Sequence, residues 1–124
     1  MENNNKHSGK KIDNKIVIAV DAMGGENSPG KIIEGIQLSL NESNDNFFQL
    51  YGNENLLKGF VNKNPEIKKY CEIFHSENDI KDVESPLTAV KKNNSSSMWK
   101  SIESQKKGNS QITLSAGNTG ALLV

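Results

Sequence analysis

Arginine is absent from this chain: all fifteen of its basic side chains are lysine. Any anion site must therefore use lysine, hydroxyls or backbone N–H groups, because the two-pronged guanidinium contact is excluded. A single cysteine, Cys71, rules out an internal disulfide and suits a reducing, cytoplasmic setting. Its surroundings, Cys71-Glu72-Ile73-Phe74, read as a strand, which makes a buried structural thiol the expectation rather than a nucleophile. No apolar run approaches membrane-spanning length, and the polar N-terminus lacks the core of a signal peptide. A net charge of zero, with scattered lysines, offers no basic stripe and hence no sign of nucleic-acid binding. With 124 residues there is material for one compact domain.

Residues 1–14 are polar, lysine-rich and aperiodic, and read as a disordered leader. Order is expected from Lys15-Ile16-Val17-Ile18-Ala19-Val20-Asp21, a run without alternation such as a strand covered on both faces shows. The glycine-rich turn Ala22 to Gly30 follows, in which Ser28 reads as a helix N-cap with Pro29 at the first helical position. Ile32, Ile33, Ile36 and Leu40 then share one helical face. A second strand is read at Phe47 to Tyr51, a helix from Glu54 to Val61, and a third strand from Tyr70 to His75. Ser76 to Ser85 reads as a loop, and Pro86 to Val90 as a helix start. The serines Ser95-Ser96-Ser97 can cap a helix from Met98 to Lys107, closed by Gly108. Gln111 to Ser115 is the fourth strand, followed by a turn from Gly117 to Gly120.

Strand and helix alternate throughout, so the expected fold is a three-layer α/β/α arrangement around a mostly parallel sheet. The chain stops at Leu122-Leu123-Val124, inside what should be the first turns of a helix. It therefore reads as the front piece of a longer enzyme. The piece alone is expected to be marginally stable and inactive.

In open parallel sheets, ligands bind beyond the carboxyl ends of the strands. Two loops occupy that position: Asp21 with Gly24-Gly25, and Ser115 to Gly120. Each sets small residues before a helix N-terminus, where free N–H groups and the helix dipole suit a phosphate or another compact anion. A plain tight-turn role is equally open for both. Neither matches the Walker phosphate loop, and the first lacks the dinucleotide-fingerprint spacing.

Three ordered motifs sharpen that choice: Val20-Asp21-Ala22-Met23-Gly24-Gly25-Glu26, Ser96-Ser97-Met98, and Ser115-Ala116-Gly117-Asn118-Thr119-Gly120-Ala121-Leu122. Together they resemble the opening third of the bacterial phosphate acyltransferase family of phospholipid synthesis, across about Lys15 to Val124. Leu50-Tyr51-Gly52-Asn53 and Pro86 to Lys92 also resemble that family. The resemblance implies a fold similar to the isocitrate and isopropylmalate dehydrogenases, and a reaction that moves a fatty acyl group from an acyl carrier protein thioester to inorganic phosphate. It further implies no cofactor and no metal, a homodimer when full length, and a cytoplasmic protein with peripheral membrane contact.

Such a reaction asks for an anion cradle and donors to the developing oxyanion, since a thioester needs no covalent help from the enzyme. On the resemblance, the phosphate-binding set is Gly24, Gly25, Ser115, Gly117, Asn118, Thr119 and Gly120, with Asn118 and Asp21 as the candidate catalytic pair. Asn118 alternatively holds only a turn or cap position. For Asp21, binding the N–H groups of the Ala22–Gly25 turn is the preferred role over general-base work. Ser96 and Ser97 read as helix caps. Lys91, Lys92 and His75 carry no assigned function. Two rivals remain: a phosphotransacetylase-like enzyme acting on acyl-coenzyme A, and a truncated product that catalyses nothing.

Overall fold

The computed structural model describes residues 15–77 and 96–116. Its order is β1 (Ile16–Asp21), α1 (Gly30–Glu42), β2 (Asn46–Gly52), α2 (Glu54–Lys63), a 3-10 turn at Pro65–Tyr70, β3 (Cys71–His75), α3 (Ser97–Lys106) and β4 (Ile112–Ser115). The four strands form one parallel sheet in the order β3-β2-β1-β4. The α/β expectation therefore holds.

The connections explain the layers. From β1 to β2 to β3 the chain steps one way across the sheet; from β3 to β4 it steps back past β1. Right-handed crossovers in opposite directions put their helices on opposite faces. Even-numbered residues of β1 and β2 (Ile18, Val20, Phe48, Leu50) pack with Ile33 and Ile36 of α1, Leu57 and Val61 of α2, and Ile67 of the 3-10 turn. The odd-numbered ones (Val17, Ala19, Asp21, Phe47, Gln49, Tyr51) face α3, as the bonds of Ser97 to Asp21 and of Ser104 to Gln49 require.

Local chemistry sets most boundaries. Asn53 caps α2 by accepting the Leu56 N–H (3.1 Å), and Ser96 caps α3 by accepting that of Trp99 (3.1 Å). At the other end of α3, Gly108 takes φ +82°, its N–H reaches Gln105 O, and that of Asn109 reaches Ser104 O. These are the paired bonds of a Schellman motif, for which glycine is favoured. The expected Ser28 cap is corrected. Helix α1 begins at Gly30 after a cis Ser28-Pro29 peptide, and the Ser28 hydroxyl donates back to Gly24 O, holding its own turn instead.

Tyr70 belongs to the 3-10 turn rather than to β3. Gln111 lies just outside β4, yet its N–H donates to Val17 O while its side-chain Oε1 accepts the Val17 N–H (2.7 Å). The amide thus continues the ladder by one step. Among the described residues Ile112 and Leu114 of β4 are 43% and 52% exposed, on the face opposite Thr113 and Ser115. The leader, the loop from residue 78, the helix start at Pro86 and the lysines Lys91 and Lys92 lie outside the described residues.

Candidate functional site at the sheet's switch point

Strand order reverses between β1 and β4, so the carboxyl ends of these two strands form the switch point at which open parallel sheets bind their ligands. Asp21 and Ser115 are register partners at that edge. Asp21 is 2% exposed and lies on the α3 face. Its Oδ1 accepts the N–H of Met23 (3.2 Å), the N–H of Gly24 (3.1 Å) and the hydroxyl of Ser97; its Oδ2 accepts the hydroxyl of Ser115 (2.6 Å). The carboxylate also stands at the first turn of α3, where the helix dipole favours negative charge.

These four donors occupy both oxygens of a side chain that holds structure. A carboxylate accepting several N–H and O–H bonds has little left with which to remove a substrate proton. The bonds from Met23 and Gly24 pin the Ala22–Gly25 turn to the end of β1.

The turn's shape follows from that pin. Ala22 N–H extends the sheet to Tyr51 O, and the chain then folds so that Gly25 takes φ +87°. A Cβ on Gly25 would lie 2.9 Å from Ala116 Cβ and 3.0 Å from Ala116 O. Only glycine lets the two loops approach this closely. Asp21, Gly24, Gly25 and Ser115 are therefore brought together at one edge. Gly117, Asn118, Thr119 and Gly120 lie outside the described residues.

Ser97 was missed as a site residue. Ser96 alone caps α3, whereas the Ser97 hydroxyl reaches back to Asp21 across the sequence. The only available sign was its place in the Ser96-Ser97-Met98 step.

Below the rim the polar theme continues. Gln49, fully buried, accepts from Tyr51 Oη (3.2 Å) and Ser104 Oγ (2.7 Å) and donates to Asn109 O (3.1 Å). Burial pushes the Tyr51 phenol above its usual range, partly offset by its hydrogen-bonding contact with Ser104.

Other groups are not part of this edge. His75 accepts the Glu54 N–H at Nδ1 (3.1 Å) and meets Glu77 at Nε2 (3.2 Å), tying β3 to α2. Cys71 lines a groove of about 540 Å³ beside β3 with Lys58, Val61, Lys68 and Ile73, and burial raises its thiol pKa to about 12. That is an inert thiol, as expected. Among the described residues no cluster of His, Cys, Asp and Glu could hold a metal ion.

Residues 16–124 match the model of a family described as "Fatty acid synthesis protein". The chain belongs to this family. Relatives named "Phosphate acyltransferase" include one from Pelagibacter ubique, 44% identical over 109 residues, covering 88% of this chain and 32% of the relative. Another, from Streptococcus mutans, is 40% identical over 106 residues, covering 86% of this chain and 31% of the relative. A third, from Rhodospirillum rubrum, is 36% identical over 112 residues, covering 90% and 32%. The chain thus spans about a third of the length of these relatives. The family match runs through both loops, Asp21 to Gly25 and Ser115 to Gly120.

Proposed function

We propose that the intact protein transfers a fatty acyl group from a thioester on acyl carrier protein to inorganic phosphate, releasing an acyl phosphate for phospholipid synthesis. The observation that carries this reading is the pair of loop starts that meet at the β1/β4 switch point. There a buried carboxylate draws the Gly24-Gly25 turn against Ser115-Ala116 in a family whose members are named phosphate acyltransferase.

In the reaction a phosphate oxygen attacks the thioester carbonyl. The C–O bond forms, the C–S bond breaks and the thiol leaves with a proton. Phosphate is already a competent nucleophile, so the protein's task is to hold it in line and stabilise the oxyanion. Gly24 and Gly25 offer close backbone approach, and the Ser115 hydroxyl stands at the edge. Gly117, Asn118, Thr119 and Gly120 would complete the cradle with backbone N–H groups, and the Asn118 amide would donate to phosphate or to the acyl carbonyl. Asp21 acts here as the anchor of the cradle rather than as a base.

No cofactor enters this scheme. A homodimer, a cytoplasmic location and peripheral membrane contact belong to the same proposal. No helix among the described residues is long and apolar enough to cross a membrane.

The test is an acyl phosphate assay on the intact protein, with acyl carrier protein and coenzyme A thioesters compared. Asn118→Ala should raise the KM for phosphate or lower turnover about a hundredfold, the scale on which single oxyanion donors act. Wild-type kinetics in that variant would remove Asn118 from the site. A preference for the coenzyme A donor would redirect the reading to a phosphotransacetylase-like enzyme.

A further inference from the structure

Helix α3 begins at Ser97, and a side chain in a first turn ordinarily faces solvent or a capping partner. Ser97 does neither. It is 2% exposed, its neighbour Ser96 already supplies the cap, and its hydroxyl donates to Asp21 Oδ1. That same oxygen accepts the N–H groups of Met23 and Gly24, while Oδ2 accepts the Ser115 hydroxyl. One carboxylate therefore joins three separate segments: the turn after β1, the start of α3 and the end of β4. The Ser97 hydroxyl is the link to α3 at this point.

The link bears on how the two loops meet. The Met23 and Gly24 N–H groups share their acceptor with Ser97, so the direction of the carboxylate sets the pose of the turn. That turn meets Ala116 with no room for a Cβ at Gly25. A small rotation of the Asp21 side chain must accordingly change the spacing of the two loops. Among the described residues, Oδ1 without the Ser97 hydroxyl keeps the two backbone donors, both from the turn it is meant to hold still.

We propose that Ser97 is a positioning residue: through Asp21 it fixes the Gly24-Gly25 turn in the pose that receives the phosphate substrate. The assignment rests on the phosphate acyltransferase reading for the identity of the anion. Ser97 itself touches no reacting atom. Its removal should therefore weaken phosphate capture while leaving the use of the acyl donor and the chemical step nearly unchanged.

Two measurements on the intact protein test this. In the first, inorganic phosphate is titrated while the amide NMR signals of Gly24 and Gly25 are followed. The parent should show saturable shifts at both amides, and Ser97→Ala should weaken the response about tenfold, the loss expected for one hydrogen bond to a charged group. In the second, steady-state kinetics should show the phosphate KM raised by a similar factor in Ser97→Ala, with kcat and the acyl-donor KM within about twofold of the parent. Ser97→Thr, which keeps the hydroxyl, should restore the phosphate KM. Should Ser97→Ala not fold, Ser97→Cys, close in size and a much weaker donor, must show the same selective rise.

Equal losses in all kinetic constants, a lower melting temperature with unchanged phosphate binding, or no rescue by threonine would overturn the assignment. So would Gly24 and Gly25 amides that ignore phosphate in the parent. Phosphate binding that responds to Ser97 in a protein making no acyl phosphate would instead sink the acyl-transfer reading and leave Ser97 as the positioning residue of an anion site.

Discussion

The two faces of the sheet are built from different chemistry. Under α1 and α2 the contacts are Val20, Phe48 and Leu50 against Ile33, Ile36, Leu57, Val61 and Ile67, all apolar and all nearly or fully buried. Under α3 the buried set includes Asp21, Gln49, Ser97, Ser101 and Ser104, with Met98, Val17, Ala19 and Phe47 between them. The first face is held by removal of apolar surface from water, which is non-directional. The second depends on specific hydrogen bonds, each of small net worth and costly when left unmade. Directional bonding is what a binding edge needs, and the candidate site lies at the end of the polar face. The apolar face anchors; the polar face aims.

The largest effect should come from the anchoring face. Leu57 is fully buried, and Leu57→Ala should cost about 2–5 kcal/mol of unfolding free energy by denaturant titration. A loss below about 1 kcal/mol would mean that this face collapses around cavities and is less rigid than its packing implies.

Gln49→Met tests the aiming face. It removes a partner of the Tyr51 hydroxyl, of Asn109 O and of the Ser104 hydroxyl, the last of which keeps Ser110 Oγ, with little change in volume. About 1–3 kcal/mol should be lost, because buried polar atoms are orphaned rather than replaced. A neutral result would erase the contrast between the faces.

Where the polar face reaches the rim, Gly25→Ala should cost about 1–2 kcal/mol from its left-handed backbone alone. Its Cβ would also push against Ala116, so loss of phosphate binding should exceed what the stability change explains. Phosphate affinity measured beside the melting temperature separates the two.

The smallest effect is a readout of dryness. Cys71 has its thiol pKa raised to about 12 from about 9 by burial on the apolar face. The folded state thus holds this proton more tightly than the unfolded chain does. The stability it contributes is complete below pH 9 and is lost as pH rises toward 12. At pH 8 alkylation of the folded protein should run about fifty-fold slower than that of a small free thiol, the scarcer thiolate being partly offset by its greater nucleophilicity. Equal rates would show that the groove beside β3 is wet.

The same contrast explains what could be read in advance. The continuous apolar run of β1, the aromatic-rich stretch of β2 and the spacing of Ile33, Ile36 and Leu40 announce strands and a helix face, because burial leaves its mark in residue type. Helix α3 was legible through its ends alone, the serine cap and Gly108. Its packing face (Ser97, Ser101, Ser104) is written in residues that read as solvent-facing. The same loss of signal hid Gln49. A polar residue in a strand gives no sign of whether water or another side chain will satisfy it. The displaced start of α1 has a comparable cause: the Ser28 hydroxyl had two possible partners, and only the folded turn presents Gly24 O to it.

By itself the sequence determined the alternation of strands and helices, the parallel α/β class, a serine cap within Ser95–Ser97 and the closing Gly108. Local propensity and periodic burial are properties of neighbours along the chain, and they survive in the order of residues. Tertiary structure alone decided that β4 returns beside β1, that Asp21 and Ser115 become register partners, and that Ser97 spends its hydroxyl on that carboxylate. Those facts join residues up to 94 positions apart. No short-range pattern encodes them; only the assembled sheet and a helix packed on it bring such donors to one acceptor.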